Sequence, residues 1–134
     1  MELYRAIEAD IKSLLDSDRN EALLITGARQ VGKTFIIRKC AKDCFENVIE
    51  INFIEKPDAV KLFENARSSE DILLRISAFT DIPLIPGKTL IFFDEVQECK
   101  EIVTAIKFLV EDGKYRYILS GSLLGVELKD VSSV

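Results

Sequence analysis

The sequence contains no histidine and no tryptophan, and its 134 residues include only three cysteines, three prolines and one methionine. Without histidine, catalytic schemes that pair a serine or cysteine nucleophile with an imidazole base are excluded. No run of 18 apolar residues occurs, so no segment is predicted to cross a membrane as a helix. The first residues lack a basic stretch followed by an apolar stretch, so we do not expect a secretory signal.

The three cysteines are Cys40, Cys44 and Cys99. An odd number of cysteines without a signal peptide predicts reduced thiols and a cytoplasmic protein. Cys40 and Cys44 are four residues apart, on one face of a predicted helix, and a metal or redox pair is one interpretation. Since there is no histidine and no second cysteine pair, small buried apolar side chains are the better interpretation.

Acidic residues outnumber basic ones by 23 to 18, which gives a formal net charge of −5. The two signs are mixed along the whole chain, and no segment is basic enough to follow a phosphate backbone. We therefore expect no direct binding of nucleic acid by this stretch of chain.

Short apolar runs alternate with segments that have helical periodicity. Such runs are typical of buried strands in a parallel sheet, and the alternation predicts an α/β layered fold with a mainly parallel sheet. No linker divides the chain, so one domain is expected over 1–134. The C-terminal stretch 121–134 has no clear period and is assigned no element. Strands are predicted at 22–26, 48–53, 89–93 and 115–120, and helices at 3–16, 33–42, 57–63, 69–79 and 102–110.

A glycine-rich motif, G-x-x-x-x-G-K-T, lies between the first predicted strand and the next helix. Its glycines let the backbone turn with N–H groups pointing inward, and these donors and the positive helix end suit a phosphate group. The lysine can reach the β- and γ-phosphates, and the threonine hydroxyl is a hard oxygen ligand for Mg²⁺. The motif predicts a nucleotide site formed by Gly27, Ala28, Arg29, Gln30, Val31, Gly32, Lys33 and Thr34.

The third predicted strand ends in two carboxylates, Asp94 and Glu95. Asp94 is predicted to share the Mg²⁺ with Thr34, and Glu95 to orient and polarise the water that attacks the γ-phosphate. The alternative is an ordinary strand end with two exposed acids. The D-x-x-G and N-K-x-D motifs of guanine-nucleotide switches are absent, so ATP is the predicted nucleotide.

The fourth predicted strand ends at Ser120, Gly121 and Ser122. In folds of this kind a polar residue here lies near the γ-phosphate, so Ser120 or Ser122 is predicted to contact the nucleotide and report hydrolysis. The alternative is a glycine-containing turn with two exposed serines. For Arg29, contact with phosphate and simple exposure to solvent are both left open.

Three segments in this order, GARQVGKT, LIFFDEVQ and YILSGSLLG, resemble the bacterial and archaeal AAA-type ATPases of the AAA+ superfamily. The resemblance covers about 21–124. It implies the three-layer P-loop NTPase fold with sheet order 5-1-4-3-2. It also implies a Walker A motif over 27–34, Walker B acids at Asp94 and Glu95, and a sensor within Ser120–Ser122.

Members of this family are usually much longer and carry a lid and a further domain. The resemblance thus implies that the chain is the N-terminal ATPase core of a larger protein. The fifth strand and the lid are expected to be missing, and the first strand is expected to lie at an open sheet edge, where self-association is a risk. The missing C-terminal domain is then the expected partner.

The leading hypothesis is Mg²⁺-dependent ATP hydrolysis by the intact protein, with Glu95 and Lys33 as catalytic residues. The chain alone is expected to be nearly inactive, because the transition-state arginine is worth orders of magnitude in rate. A nucleotide-dependent switch or interaction module, in which ATP or ADP sets partner choice, is the alternative. A small-molecule P-loop kinase is a third hypothesis, which Glu95 disfavours because a kinase must exclude hydrolytic water.

Overall fold

A computed structural model describes residues 2–16, 21–26, 32–121 and 131–133 of the chain. Helices and strands alternate as predicted, and two short 3₁₀ segments, Pro57–Leu62 and Val96–Glu98, follow β2 and β3. The helices are α1 (Glu2–Asp16), α2 (Lys33–Cys44), α3 (Ser69–Phe79) and α4 (Ile102–Asp112), and the strands are β1 (Ala22–Thr26), β2 (Asn47–Asn52), β3 (Thr89–Asp94), β4 (Arg116–Gly121) and β5 (Val131–Ser133).

The five strands form one sheet in the order β2-β3-β4-β1-β5, and every neighbouring pair is parallel. This is the order that the resemblance implied, written from the other edge. From β1 to β4, consecutive strands are joined through helices, as a parallel sheet requires. Because all strands run the same way, their carboxyl ends lie at one edge of the sheet.

The expectation that the fifth strand is missing is wrong. Val131–Ser133 forms β5 and pairs in parallel with β1, with Ala22 opposite Val131 and Leu24 opposite Ser133. β1 therefore lies between β4 and β5, and it is not at an open edge of the sheet. β5 has only three residues, two of them serines, and so shows no hydrophobic periodicity. It is a strand because it pairs with the backbone hydrogen-bonding groups of β1.

Both faces of the sheet are covered by helices, which makes three layers. Alternate residues of β3 show the division: Leu90 and Phe92 pack with α1 and α2, whereas Ile91 and Phe93 pack with α3 and α4. All four of these side chains are fully buried. A strand that is apolar on both faces is the expected pattern for the interior of a parallel sheet. Packing on both faces holds β3 in place.

The ends of α3 and α4 follow the capping rules that their sequences predict. Ser68 Oγ accepts a hydrogen bond of 3.2 Å from the backbone N–H of Asp71, which caps the first turn of α3. Gly113 ends α4 in the left-handed conformation, with φ of 72°. None of the helices within the described ranges is long and apolar enough to cross a membrane.

The three cysteines are free thiols. Cys40 and Cys99 are buried and Cys44 is partly buried, and Cys40 packs in the core between the sheet, α1 and α2. Burial raises the pKa of Cys99 to about 11. No cluster of three or more metal-ligand side chains occurs within the described residues. The burial of Cys40 supports its interpretation as a small apolar side chain, whereas Cys44 is only partly buried.

Candidate active site

The carboxyl ends of β1, β3 and β4 meet at one point on the edge of the sheet. Asp94, the last residue of β3, lies opposite Ser120 of β4, and Ser120 lies opposite Ile25 of β1. One residue further, Thr26 lies opposite Gly121. Parallel pairing alone therefore brings together strand ends that are far apart in the sequence. Ligands of open α/β folds bind at this edge.

The phosphate-loop motif follows β1 in the chain, and the structure describes its last three residues, Gly32, Lys33 and Thr34. Gly32 has φ of 96°, a conformation that favours glycine, and its carbonyl accepts the N–H of Ile36 at 2.8 Å. α2 begins directly after it, at Lys33, so Lys33 and Thr34 lie in the first turn of the helix. The motif residues Gly27, Ala28, Arg29, Gln30 and Val31 lie outside the described residues.

Thr34 and Asp94 are in direct contact, although 60 residues separate them. Thr34 Oγ1 donates a hydrogen bond of 2.9 Å to Asp94 Oδ2. The other carboxylate oxygen, Oδ1, accepts the backbone N–H of Glu95, also at 2.9 Å. These two side chains, predicted from separate motifs to share one metal ion, are thus brought together at the strand edge.

Asp94 is buried, with 3% of its surface exposed. Burial raises the pKa of its carboxyl group, and the carboxylates of Glu95 and Glu50 act in the same direction. The hydrogen bonds from Thr34 and from the Glu95 N–H lower the pKa but do not cancel the effect of burial. A divalent cation would supply the missing positive charge. A hydroxyl and a carboxylate are also the hard oxygen ligands that Mg²⁺ prefers, so these residues fit the ion.

Glu95 lies next to Asp94, but its backbone leaves the strand. Its φ and ψ of 56° and 46° are in the left-handed region, and it is the N-cap residue of the 3₁₀ segment Val96–Glu98. This conformation is uncommon outside glycine. It turns the chain out of the sheet directly after Asp94. Glu95 Oε1 accepts a hydrogen bond of 3.2 Å from Gln97 Nε2.

Ser120 is fully buried beside Asp94, and its hydroxyl has no hydrogen-bond partner among the described parts of the chain. A buried unpaired hydroxyl is costly unless another group meets it. This environment suits the predicted sensor better than an exposed turn, although the role itself stays a prediction. Ser122 lies outside the described residues.

Two groups near the site were missed from the sequence. Arg38 Nε and Nη2 donate to the two carboxylate oxygens of Glu50 at 2.8 and 2.7 Å. The hydrogen bond to Glu50 is the main cause that raises the pKa of Arg38, and the Asp94 charge contributes to it. Arg38 is four residues after Thr34, on the same face of α2, and that spacing was the available signal. Gln97 is the second group, and its contact with Glu95 had no sequence signal beyond proximity.

Residues 19–134 match the sequence model of a family described as AAA domain. The chain belongs to the AAA domain family. The strand order, the Thr34–Asp94 contact and the family match agree with one another, and together they support a nucleotide-binding function of the ATPase type. Family membership also implies nucleotide binding, usually with Mg²⁺.

Two solved structures are similar to this AAA domain in fold. A structure of C. elegans PCH-2 aligns with a TM-score of 0.55 and 15% identity, over 99% of this chain and 42% of that chain. The Aeropyrum pernix ORC1 protein in complex with DNA aligns with a TM-score of 0.55 and 14% identity, over 92% of this chain and 39% of that chain. The chain thus spans less than half the length of either protein. No curated protein sequence matches it.

Proposed function

We propose that the intact protein binds ATP with Mg²⁺ and hydrolyses it to ADP and phosphate, with 1–134 as its single ATPase core domain. The observation that carries the proposal is the hydrogen bond of 2.9 Å between Thr34 and Asp94. It joins the end of the phosphate-loop motif to the acidic strand end. An accidental G-x-x-x-x-G-K-T match would not require this contact.

The position of each residue suggests its role in binding ATP and Mg²⁺. Thr34 and Asp94 would hold Mg²⁺, which supplies charge stabilisation for the phosphates when it is bound. Lys33, in the first turn of α2, is placed to contact the phosphate oxygens, together with the backbone N–H groups of the loop. Ser120 is the candidate that senses the γ-phosphate, because its buried hydroxyl has no partner among the described residues and it lies opposite Asp94 in the sheet.

Glu95 is proposed to act on water. Its carboxylate orients a water molecule and accepts its proton as the water oxygen bonds to the γ-phosphorus. The bond between the γ-phosphorus and the bridging oxygen breaks, and ADP leaves. Asp94 is assigned to the metal ion rather than to this step, because it contacts Thr34, the other proposed ligand of the ion.

The test compares Glu95→Gln with Asp94→Asn in the intact protein. Glu95→Gln removes a group that acts in the transition state, so ATP affinity should be unchanged or slightly higher. Single-turnover hydrolysis should fall by roughly 10²- to 10⁴-fold, the range for a lost general base. Asp94→Asn should lower affinity and turnover together, because it disturbs the metal site. ATP affinity is measured by calorimetry and turnover by phosphate release.

The outcome also distinguishes the alternatives. Hydrolysis by Glu95→Gln at the parent rate would contradict the catalytic role and favour a nucleotide-dependent switch. Transfer of the γ-phosphate to an added acceptor, rather than to water, would favour a small-molecule kinase. Absence of ATP binding by the parent protein would contradict the proposal as a whole.

A further inference from the structure

The side chain of Gln97 lies between the two strand ends that form the candidate site. Its Nε2 donates a hydrogen bond of 3.2 Å to Glu95 Oε1. On its other side is Gly121, the last residue of β4. A Cβ atom at Gly121 would collide with Gln97 Oε1 and would lie 2.9 Å from the backbone nitrogen of Val96. The amide of Gln97 therefore fills the gap between Glu95 and β4.

Contacts of the surrounding backbone fix the position of Gln97. Gln97 belongs to the 3₁₀ segment Val96–Glu98, which is closed by a hydrogen bond of 3.1 Å from the Glu98 N–H to the Glu95 carbonyl. Val96, on the same turn, is buried in the core. The turn is thus anchored on one side, and the end of β4 packs closely against the other.

A hydrogen bond from an uncharged amide has a specific consequence for a carboxylate. It fixes one oxygen and so restricts rotation of the side chain, while the other oxygen keeps its capacity to accept a proton. A lysine or arginine in this place would add a positive charge and weaken the carboxylate as a base. Glutamine provides orientation without that charge, which suits a group that must orient water.

We propose that Gln97 is a positioning residue for the Glu95 carboxylate, and that the close approach of Gly121 holds the Gln97 amide in place. The inference rests on the proposed function, since it assigns Gln97 a role in the same hydrolysis. It connects β4, which carries Ser120, to Glu95 through one side chain. A larger residue at this position would displace the amide oxygen of Gln97.

The experiment uses Gln97→Met in the intact protein, because methionine keeps the length of the side chain and removes the N–H donor. Misplacement of a catalytic group by about 1 Å costs up to roughly 10²-fold in rate. We expect single-turnover ATP hydrolysis to fall by about 10- to 100-fold while the calorimetric dissociation constant for ATP stays unchanged. Glu98→Met is the control, since it also introduces methionine but at the next, exposed residue, and it should hydrolyse ATP at the parent rate.

The double variant Glu95→Gln/Gln97→Met decides whether Gln97 acts through Glu95. Groups that act as a unit are non-additive, so the second change should lower the rate by less than twofold in the Glu95→Gln background. Full additivity, or a parent rate for Gln97→Met, overturns the inference and leaves the proposed function standing. If Glu95→Gln alone hydrolyses at the parent rate, the proposed function fails first.

A second variant covers the case in which Gln97→Met does not fold. Gln97→Glu keeps both the size and the oxygen beside Gly121, but it places a carboxylate against Glu95. Its hydrolysis rate should fall at least as far as that of Gln97→Met, again with ATP affinity within about twofold of the parent. A parent rate for Gln97→Glu also overturns the inference.

Discussion

Asp94 is the residue on which the candidate site depends most. Its carboxylate is buried and accepts one hydrogen bond on each oxygen from neutral donors, Thr34 and the backbone of Glu95. Burial is the largest influence on the carboxyl group and raises its pKa. Neutral donors reduce the cost of a buried negative charge but do not remove it. This environment supports the proposal that Asp94 holds a cation.

Thr34→Ala and Asp94→Ala test whether these two residues serve one metal ion. Each single variant should lose the Mg²⁺-dependent part of ATP affinity, because either change removes one ligand. The double variant should lose little more, since groups that share one ion are non-additive. The measurement is ATP affinity by calorimetry with and without Mg²⁺. Fully additive losses would mean that the residues do not share a metal ion.

Lys33→Ala tests the phosphate contact. Lys33 lies in the first turn of α2 and is only partly buried, so its loss should leave the fold intact. ATP affinity should fall strongly, because the side chain is placed to meet phosphate. Lys39→Ala, at an exposed position of the same helix, is the control and should bind ATP like the parent. Unchanged affinity of Lys33→Ala would rule out the phosphate-loop assignment.

At the scale of elements, the strands and helices with long apolar patterns were predictable. β3 was recognised because residues on both of its faces are apolar, and α3 because its apolar residues recur at helical spacing. β5 was not predictable, since its pairing depends on the free edge of β1 rather than on its own residues. The Gln97–Glu95 contact depends on the approach of β4, which no local pattern encodes.

The N-cap of α3 offers a prediction that is independent of nucleotide. Ser68→Ala removes the hydrogen bond from the Asp71 N–H, so the free energy of unfolding should fall by about 1 kcal/mol. Ser77→Ala, at an exposed position within the same helix, should be neutral or slightly stabilising, because alanine has the higher helix propensity. Chemical denaturation measures both. Equal effects of the two substitutions would contradict the capping role.

At the scale of the whole molecule, the candidate site is a product of topology. Asp94 ends β3 and Ser120 lies one residue before the end of β4, and parallel pairing places them opposite each other, where Thr34 contacts Asp94. The sequence predicted this meeting because its motifs follow apolar runs that had to be parallel strands. The side-chain hydrogen bonds could not be predicted, because they depend on the turn at Glu95 and on the packing of the strand ends.

The same topology links nucleotide binding to the stability of the whole fold. A ligand that binds only the folded state stabilises it by mass action, by about 2.7 kcal/mol at 100 times its dissociation constant. ATP with Mg²⁺ should therefore raise the free energy of unfolding of the parent protein. Asp94→Asn should lose the Mg²⁺-dependent part of this gain, since the variant lacks the carboxylate that would hold the ion.

Without ligand, we expect the Asp94→Asn variant to be more stable than the parent protein. The raised pKa of Asp94 means that the folded state holds the charged carboxylate less favourably than the unfolded state does. This destabilisation is absent at low pH, develops as the pH rises above the ordinary pKa of the carboxyl group, and levels off above the raised pKa. An uncharged asparagine avoids it and can still accept the Glu95 N–H, so Asp94→Asn without ligand should be more stable than the parent at pH 7. Chemical denaturation at pH 7, with and without ATP and Mg²⁺, measures both effects. If Asp94→Asn without ligand is less stable than the parent, the Asp94 carboxylate stabilises the folded state, which would contradict this prediction.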